Sequence, residues 1–166
     1  MIRLLPKLRR FAYGLTGSLE AAEDLVQEAC ARLLHQPDDK DSYLDRWLFR
    51  TVRNLHVDQI RKKAVAEKYN DQMTAEVDDD RLDGNVHMET LQELDHVRSA
   101  ITRLPEEQRT VIILIGIEGF SYRETAEILG VPIGTVTSRL ARARRQLVSL
   151  ISIRGFTEDI ADGVAL

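Results

Sequence analysis

The segment from Ser121 to Leu150 constrains this chain more than any other. The pattern predicts a short helix from Ser121 to Leu129, a turn at Gly130-Val131-Pro132, and a longer helix from Ile133 to Leu150. Gly130 suits the left-handed residue that closes a helix, and Pro132 suits the first turn of the next. Ala126 is small where the two helices would approach. At about 100° per residue, Val136, Leu140, Ala143 and Leu147 fall on one narrow stripe, the spacing of a packed face. Thr135, Ser138, Ala141, Arg142 and Arg145 point the other way. Two helices joined by a glycine turn are common in helical cores, so geometry alone does not separate a packing unit from a DNA reader. The outer face does. Between Ile133 and Leu150 there are four arginines and no acid, where a merely solvated face would mix Glu and Lys. Arginine holds phosphates or reads guanine edges, and Ser or Thr donates to either. The expectation is a helix-turn-helix whose second helix enters a DNA major groove.

Further upstream the pattern is also helical. Leu4 to Leu15 is a basic amphipathic segment closed by Thr16-Gly17-Ser18, with Ser18 placed to cap the next helix. From Glu20 to Leu34, Leu25, Val26, Ala29, Cys30 and Leu33 share one side, and Asp24, Gln27, Glu28 and Ala31 the other. His35 to Ser42 carries Pro and four charges and reads as a loop. A long helix from Tyr43 to Lys63 sets Leu44, Trp47, Leu48, Thr51, Val52 and Leu55 on its packed face. Arg46, Arg50, Arg53 and Arg61 lie on its far side, with Asn54 and Asp58 along the edge. Helix resumes near Met88 and runs toward Arg103, and Leu104-Pro105-Glu106-Glu107 restarts it with Pro in the first turn and acids at the positive end of the dipole. The helix from Val111 to Ile117, ending at Glu118-Gly119, is apolar on every side at Val111-Ile112-Ile113-Leu114-Ile115 and is expected to be the buried centre of a second domain.

The net charge of −4 opposes binding to a polyanion until it is divided along the chain. Residues 1–63 carry 12 Lys and Arg against 9 Asp and Glu; residues 64–97 carry 2 against 10; residues 98–150 carry 8 against 5; residues 151–166 carry 1 against 3. Two basic blocks flank an acidic one, and the local field decides what binds. Asp78-Asp79-Asp80 and Asp83-Gly84-Asn85, with no sustained apolar stripe, read as a flexible acidic linker. The expected fold is therefore all-α: a helical domain over 1–63, the linker over 64–97, a helix-turn-helix domain over 98–150 and a tail over 151–166. One cysteine rules out an intramolecular disulfide and fits a reducing cytosol. No apolar run of about 18 residues is present, and Arg9-Arg10 interrupt the N-terminal apolar stretch, so neither membrane insertion nor a signal peptide is expected. The four histidines are scattered, no Cys/His pair has zinc-ligand spacing, and the first domain has no Gly-rich phosphate loop. No catalytic set, metal, cofactor or small-molecule substrate is expected.

Several stretches together resemble the bacterial RNA polymerase sigma factors, specifically the small extracytoplasmic-function (ECF, group 4) members of the sigma-70 family. They are Ala22-Glu23-Asp24-Leu25-Val26-Gln27-Glu28-Ala29, then Trp47-Leu48-Phe49-Arg50-Thr51-Val52-Arg53-Asn54 with Asp58 and Arg61. In the second half they are Leu104-Pro105-Glu106, Gly119-Phe120-Ser121-Tyr122, Leu129-Gly130-Val131-Pro132, and Gly134-Thr135-Val136 through Arg144. One helix-turn-helix is weak evidence; the ordered pair of signatures is strong.

The resemblance implies roles. Asp24, Gln27, Glu28 and Arg32 would grip the clamp helices of core RNA polymerase, although composition alone favours an ordinary solvated face. Arg46, Arg50, Arg53, Asn54, Asp58 and Arg61 would melt the −10 promoter element and hold an extruded base, work that needs phosphate neutralisation and an amide-lined pocket. Thr135, Thr137, Ser138, Arg139, Arg142 and Arg145 would read the −35 element, with Arg139, Arg144 and Arg145 on phosphates or in supporting ion pairs. Thr137 departs from the family, which often has Lys or Arg there. The implied partners are core polymerase, through its β′ clamp helices and β flap, promoter DNA and an anti-sigma factor, in a cytoplasmic stress or environmental response. The acidic linker would serve as a tether, as a segment threading along polymerase, or as a shield over the basic helices. Two other classes stay open: a sigma-like decoy that sequesters an anti-sigma factor, and a dimeric helix-turn-helix repressor.

Overall fold

The computed structural model describes residues 3–35, 43–69 and 96–152. Helix α1 (Leu5–Thr16) carries Pro6 in its first turn and closes at Gly17, whose φ of 72° lets its N–H donate to the Tyr13 carbonyl at 2.8 Å. Ser18 then caps α2 (Leu19–Leu34) by accepting from the Ala21 N–H, as its position in the sequence predicts. Helix α3 (Leu44–Tyr69) is longer than its sequence pattern, which closes at Lys63. Leu8, Phe11 and Leu15 of α1, Leu25, Val26 and Ala29 of α2, and Leu48, Val52 and Leu55 of α3 form one three-helix core.

A further helix, α4, covers 96–102. Helix α5 (Glu106–Ile112) follows, with Pro105 as its N-cap, one residue outside the first turn where the sequence pattern sets it. The chain then widens into a π turn over Ile113–Ile117, with the Glu118 N–H donating to the Ile113 carbonyl at 3.0 Å. Helix α6 (Tyr122–Leu129) starts with a full capping box: the Ser121 hydroxyl accepts from the Glu124 N–H, and the Glu124 carboxylate accepts from the Ser121 N–H. It ends at Gly130, φ 65°, and α7 (Ile133–Ser152) begins after Pro132. Val136 and Leu140 are buried in one cluster with Ile128, Leu129 and Val111, Ala143 is buried as well, and Leu147 is half-buried. The packed stripe of the helix-turn-helix is the one its spacing predicts.

The apolar segment at Val111–Ile117 departs from expectation in a telling way. Val111, Ile113 and Leu114 are buried, but Ile117 is 45% exposed while Glu118 is inside. The acid has a partner from the other half of the chain. Arg10 forks onto it with two hydrogen bonds of 2.8 Å, and the Glu118 side chain has no exposed surface.

The two halves share their core. The Phe49 ring lies 5.0 Å from Phe11 and 4.9 Å, edge-on, from Phe120. Gly14 of α1 faces Ile113 so closely that a Cβ there would stand 2.7 Å from the Ile113 Cδ1. Arg109 of α5 donates to the Leu15 carbonyl of α1 at 2.7 Å and to the Leu104 carbonyl at 3.0 Å. The Arg98 guanidinium lies 4.5 Å over the Tyr13 ring, fastening α4 to α1. Residues 36–42, 70–95 and 153–166, which include most of the loop expected from His35 to Ser42, most of the acidic linker expected over 64–97 and most of the tail, lie outside the described residues; the linker's two described ends, 64–69 and 96–97, are helical.

Phe49 is completely buried in the seam between the halves. Phe49→Ala is expected to cost about 3–5 kcal/mol in urea unfolding, because it removes contacts from both sides at once. A loss below about 1 kcal/mol would mean the seam does not hold its packing.

Candidate nucleic-acid interface

Packing one side of α7 turns its other side outward. Thr137, Ser138, Ala141, Arg142, Arg144 and Arg145 are exposed, and Thr135 and Arg139 are half-buried. Arg139 stands apart from the other arginines: its side chain is only 16% exposed and sits 2.8 Å from Glu107 of α5, a supporting ion pair across the domain. The Ser138 and Thr137 hydroxyls donate back to the Thr135 and Ile133 carbonyls at 3.0 and 3.1 Å, ordinary helix back-bonds that leave their lone pairs outward. The described face is thus hydroxyls and three exposed guanidiniums, the chemistry that meets phosphates and base edges.

Helix α3 presents a second cluster, whose partners the sequence reading did not foresee. Arg46, Arg50 and Arg53 are on the side away from α1 and α2, as their spacing predicts, and border the second domain, with Arg46 and Arg53 half-buried and Arg50 exposed. The Arg46 guanidinium bridges Glu124, at 3.1 Å, and Glu127 of α6. Arg50 donates to the Ile128 carbonyl at 3.2 Å and to the Glu127 carbonyl. These carbonyls belong to the last turn of α6, where the helix leaves acceptors unpaired and its dipole is negative. Arg53 faces Glu106 at 3.8 Å, too far for a hydrogen bond, and also donates to the Asn54 side-chain oxygen at 3.3 Å. Asn54 itself is exposed. Asp58 and Arg61 stand further along the helix, mutually 4.0 Å apart and largely in solvent.

The first-domain acids form a third patch. Asp24, Gln27, Glu28 and Arg32 are exposed on α2, and Glu28 pairs with Arg32 at 2.8 Å. They line one wall of an open groove of about 610 Å³ whose other wall is Leu55, Asp58, Gln59 and Lys62 of α3. Asp58 therefore belongs geometrically with the α2 patch as much as with the arginines.

Two side chains escaped the sequence reading. Glu118 falls four residues after Leu114 and seven after Val111, on the buried stripe of its own helix, and an acid on such a stripe requires a cation. His56 is only 7% exposed, with its Nε2 unpaired. Burial pushes its pKa down to about 4, and the nearby Arg109 and Arg53 push in the same direction. Glu124 is shifted too: the Ser121 N–H and then its hydroxyl hold this carboxyl below its ordinary range, with Arg46 adding to the effect.

Comparison with known proteins agrees with this arrangement. Residues 1–65 match the model described as Sigma-70 region 2, and residues 94–147 match Sigma-70, region 4. The chain belongs to the ECF group of the sigma-70 family. It is 36% identical over 157 residues to the ECF RNA polymerase sigma factor EcfG of Rhodopseudomonas palustris, covering 93% of this chain and 84% of that one. It is 32% identical to the ECF sigma factor SigW of Bacillus subtilis, over 85% of this chain and 81% of that one. Its fold matches the sigma factor RpoE of Bartonella quintana, solved in complex with the anti-sigma factor NepR, with a TM-score of 0.79 and 34% identity over 92% of this chain and 94% of that chain. Among the described residues of this sigma factor, no group of His, Cys, Asp and Glu could hold a metal ion, and no helix is long and apolar enough to cross a membrane.

The lowered pKa of His56 fixes a pH dependence. The unfolded imidazole titrates near 6.5 and the folded one near 4, so the unfolded state binds the proton first as pH falls. The neutral-histidine contribution is whole above about 6.5 and is lost between there and about 4, amounting to about 2 kcal/mol between pH 7.5 and 5. His56→Gln should flatten unfolding stability over that window. A slope identical to that of the parent would remove His56 as its source.

Proposed function

We propose that this chain binds core RNA polymerase and directs it to promoters, with the domain over 1–63 engaging polymerase and the −10 element and the domain over 98–150 reading the −35 element. The observation that carries the proposal is the presence, in one chain and in order, of both sigma-70 domains. Asp24, Gln27, Glu28 and Arg32 form the polymerase-facing patch. Arg46, Arg50, Arg53, Asn54, Asp58 and Arg61 serve the −10 element. Thr135, Thr137, Ser138, Arg142 and Arg145 meet the −35 element, while Arg139 braces the recognition helix through Glu107. The bond-making chemistry belongs to the polymerase; this chain contributes binding energy and sequence choice in the cytoplasm. The complex of the Bartonella relative with an anti-sigma factor supports an anti-sigma partner here as well.

The direct test is run-off transcription with purified core polymerase on fragmented genomic DNA, with and without the protein. Discrete new transcripts are the expected result, and their shared upstream sequences define the two elements. Polymerase binding without transcripts favours the decoy, and no polymerase binding favours a repressor.

Residue tests follow from the same assignment. Arg142→Ala should lose about 1–3 kcal/mol of discrimination at one base position, measured by competition between matched and mismatched −35 duplexes. An equal loss on every duplex would make Arg142 a phosphate contact instead. Asn54→Ala should impair promoter opening, read by permanganate reactivity of unpaired thymines, while polymerase association stays intact. Normal opening would remove the pocket assignment.

A further inference from the structure

We propose that the flank of α7 formed by Thr137 and Ala141 selects thymine in the −35 element by packing against its C5 methyl group, beside an arginine flank that hydrogen-bonds. The inference rests on the assignment of α7 to that element and adds Ala141 to the residues that set its sequence.

The outer face of α7 is divided lengthwise. Val136, Leu140 and Ala143 are buried and fix the inward direction. At about 100° per residue, Ser138 and Arg145 stand opposite them, and the two flanks diverge from that line by about 50° or more. Arg142 and Thr135 lie on one flank. Thr137, Ala141 and Val148 lie on the other, with Arg144 bordering it. Thr137 and Ala141 are exposed, and Val148 is 65% exposed. A single apolar residue on a surface needs no partner. A line of them beside exposed guanidiniums is different, because whatever Arg142 and Arg145 hold is brought against the apolar flank as well.

The hydroxyls of this face narrow what it can read. Ser138 donates to the Thr135 carbonyl at 3.0 Å and Thr137 to the Ile133 carbonyl at 3.1 Å, so the one proton each carries is committed within the helix. Thr137 then offers a base pair lone pairs and a γ-methyl, and Ala141 offers a methyl alone. The two residues are four apart and so adjacent on the helix surface. In the major groove thymine alone presents a methyl group, and the other bases present polar edges there. Covering a polar edge with Ala141 desolvates it without a bond in return, whereas covering the thymine methyl removes apolar area from water. The flank therefore favours thymine both by attraction and by exclusion of its competitors.

The test uses the full chain loaded on core polymerase and promoter duplexes recovered by run-off transcription. Each thymidine of the −35 element is replaced in turn by deoxyuridine, which removes the C5 methyl and leaves every hydrogen-bonding group in place. Competition binding gives a thymine-to-uracil affinity ratio at each position. One position, or two adjacent ones, should show a ratio of roughly three- to fivefold, the effect of burying one methyl. That ratio should fall in Ala141→Gly and in Thr137→Ser, which keeps the hydroxyl, and reach about one when the two are combined. Each ratio is taken within one variant, so any loss of helix stability on introducing Gly cancels.

Ratios of one at every thymine in the parent chain would overturn the proposal, as would a −35 element of G·C pairs alone. A parent ratio that the combined variant leaves intact would overturn it too, since another side chain would then cover the methyl. Single mismatches in the same duplexes separate these outcomes from failure of the underlying assignment. If no −35 mismatch weakens binding, α7 does not read the element and both readings fall. If mismatches weaken binding but uracil does not, only the methyl reading falls.

Discussion

Phe49 is the point on which the two halves of this sigma factor depend. One ring fills the α1 side of the seam through Phe11 and the α6 side through Phe120. It follows Leu48 directly, and both are buried, which on one helix means burial across an arc wider than a single packed stripe allows. Helix α3 is therefore packed on two sides: Leu48, Val52 and Leu55 toward α1 and α2, and Phe49 and His56 toward the second domain. Its polar residues are distributed by what remains. Asp58, Gln59 and Lys62 reach the open groove beside α2, and Arg46, Arg50 and Arg53 border the seam.

That geometry dictates the electrostatics. An arginine at the rim of an apolar seam loses part of its hydration and is best satisfied by acceptors from the facing element. Glu124, Glu127 and the last carbonyls of α6 supply them for Arg46 and Arg50. Deeper in the seam the same logic is sharper: Glu118 has no exposed side-chain surface, and both its oxygens go to Arg10. His56 has no such acceptor. With Arg53 and Arg109 nearby, a second and third positive charge in the same dry region, neutrality is its only inexpensive state, so it stays unprotonated where an ordinary histidine begins to titrate.

What was legible in the sequence was whatever depends on a single helix or a single turn. The stripe of Val136, Leu140 and Ala143, the left-handed Gly130, the cap at Ser18 and the outward hydroxyls of α7 all follow from spacing and local stereochemistry. The polar face of α2 does too. The seam was harder, because it depends on two segments more than fifty residues apart meeting face to face. Nothing local to Arg46 says that Glu124 will cover it. A partial signal existed: Phe49 and His56 lie outside the stripe of Leu48, Val52 and Leu55, and Glu118 lies on the stripe of Val111 and Leu114. An apolar residue off the stripe and an acid on it are each anomalous for a lone domain, and the seam accounts for both. The acidic linker expected over 64–97 is helical at both described ends, 64–69 and 96–97, and its remainder, 70–95, lies outside the described residues.

The contrast between the two sets of arginines then carries the functional argument. Both helices were read as basic faces, and both are, but their guanidiniums are in different circumstances. On α7 only Arg139 is committed, to Glu107 within its own domain, where it braces the helix without obstructing its outer face. On α3 the commitments of Arg46, Arg50 and Arg53 cross to the other domain. A contact of the first kind orients a DNA-reading helix in every state of the chain. A contact of the second kind ties the position of α3 to that of the facing domain, through the acids Glu106, Glu124 and Glu127 and the last carbonyls of α6.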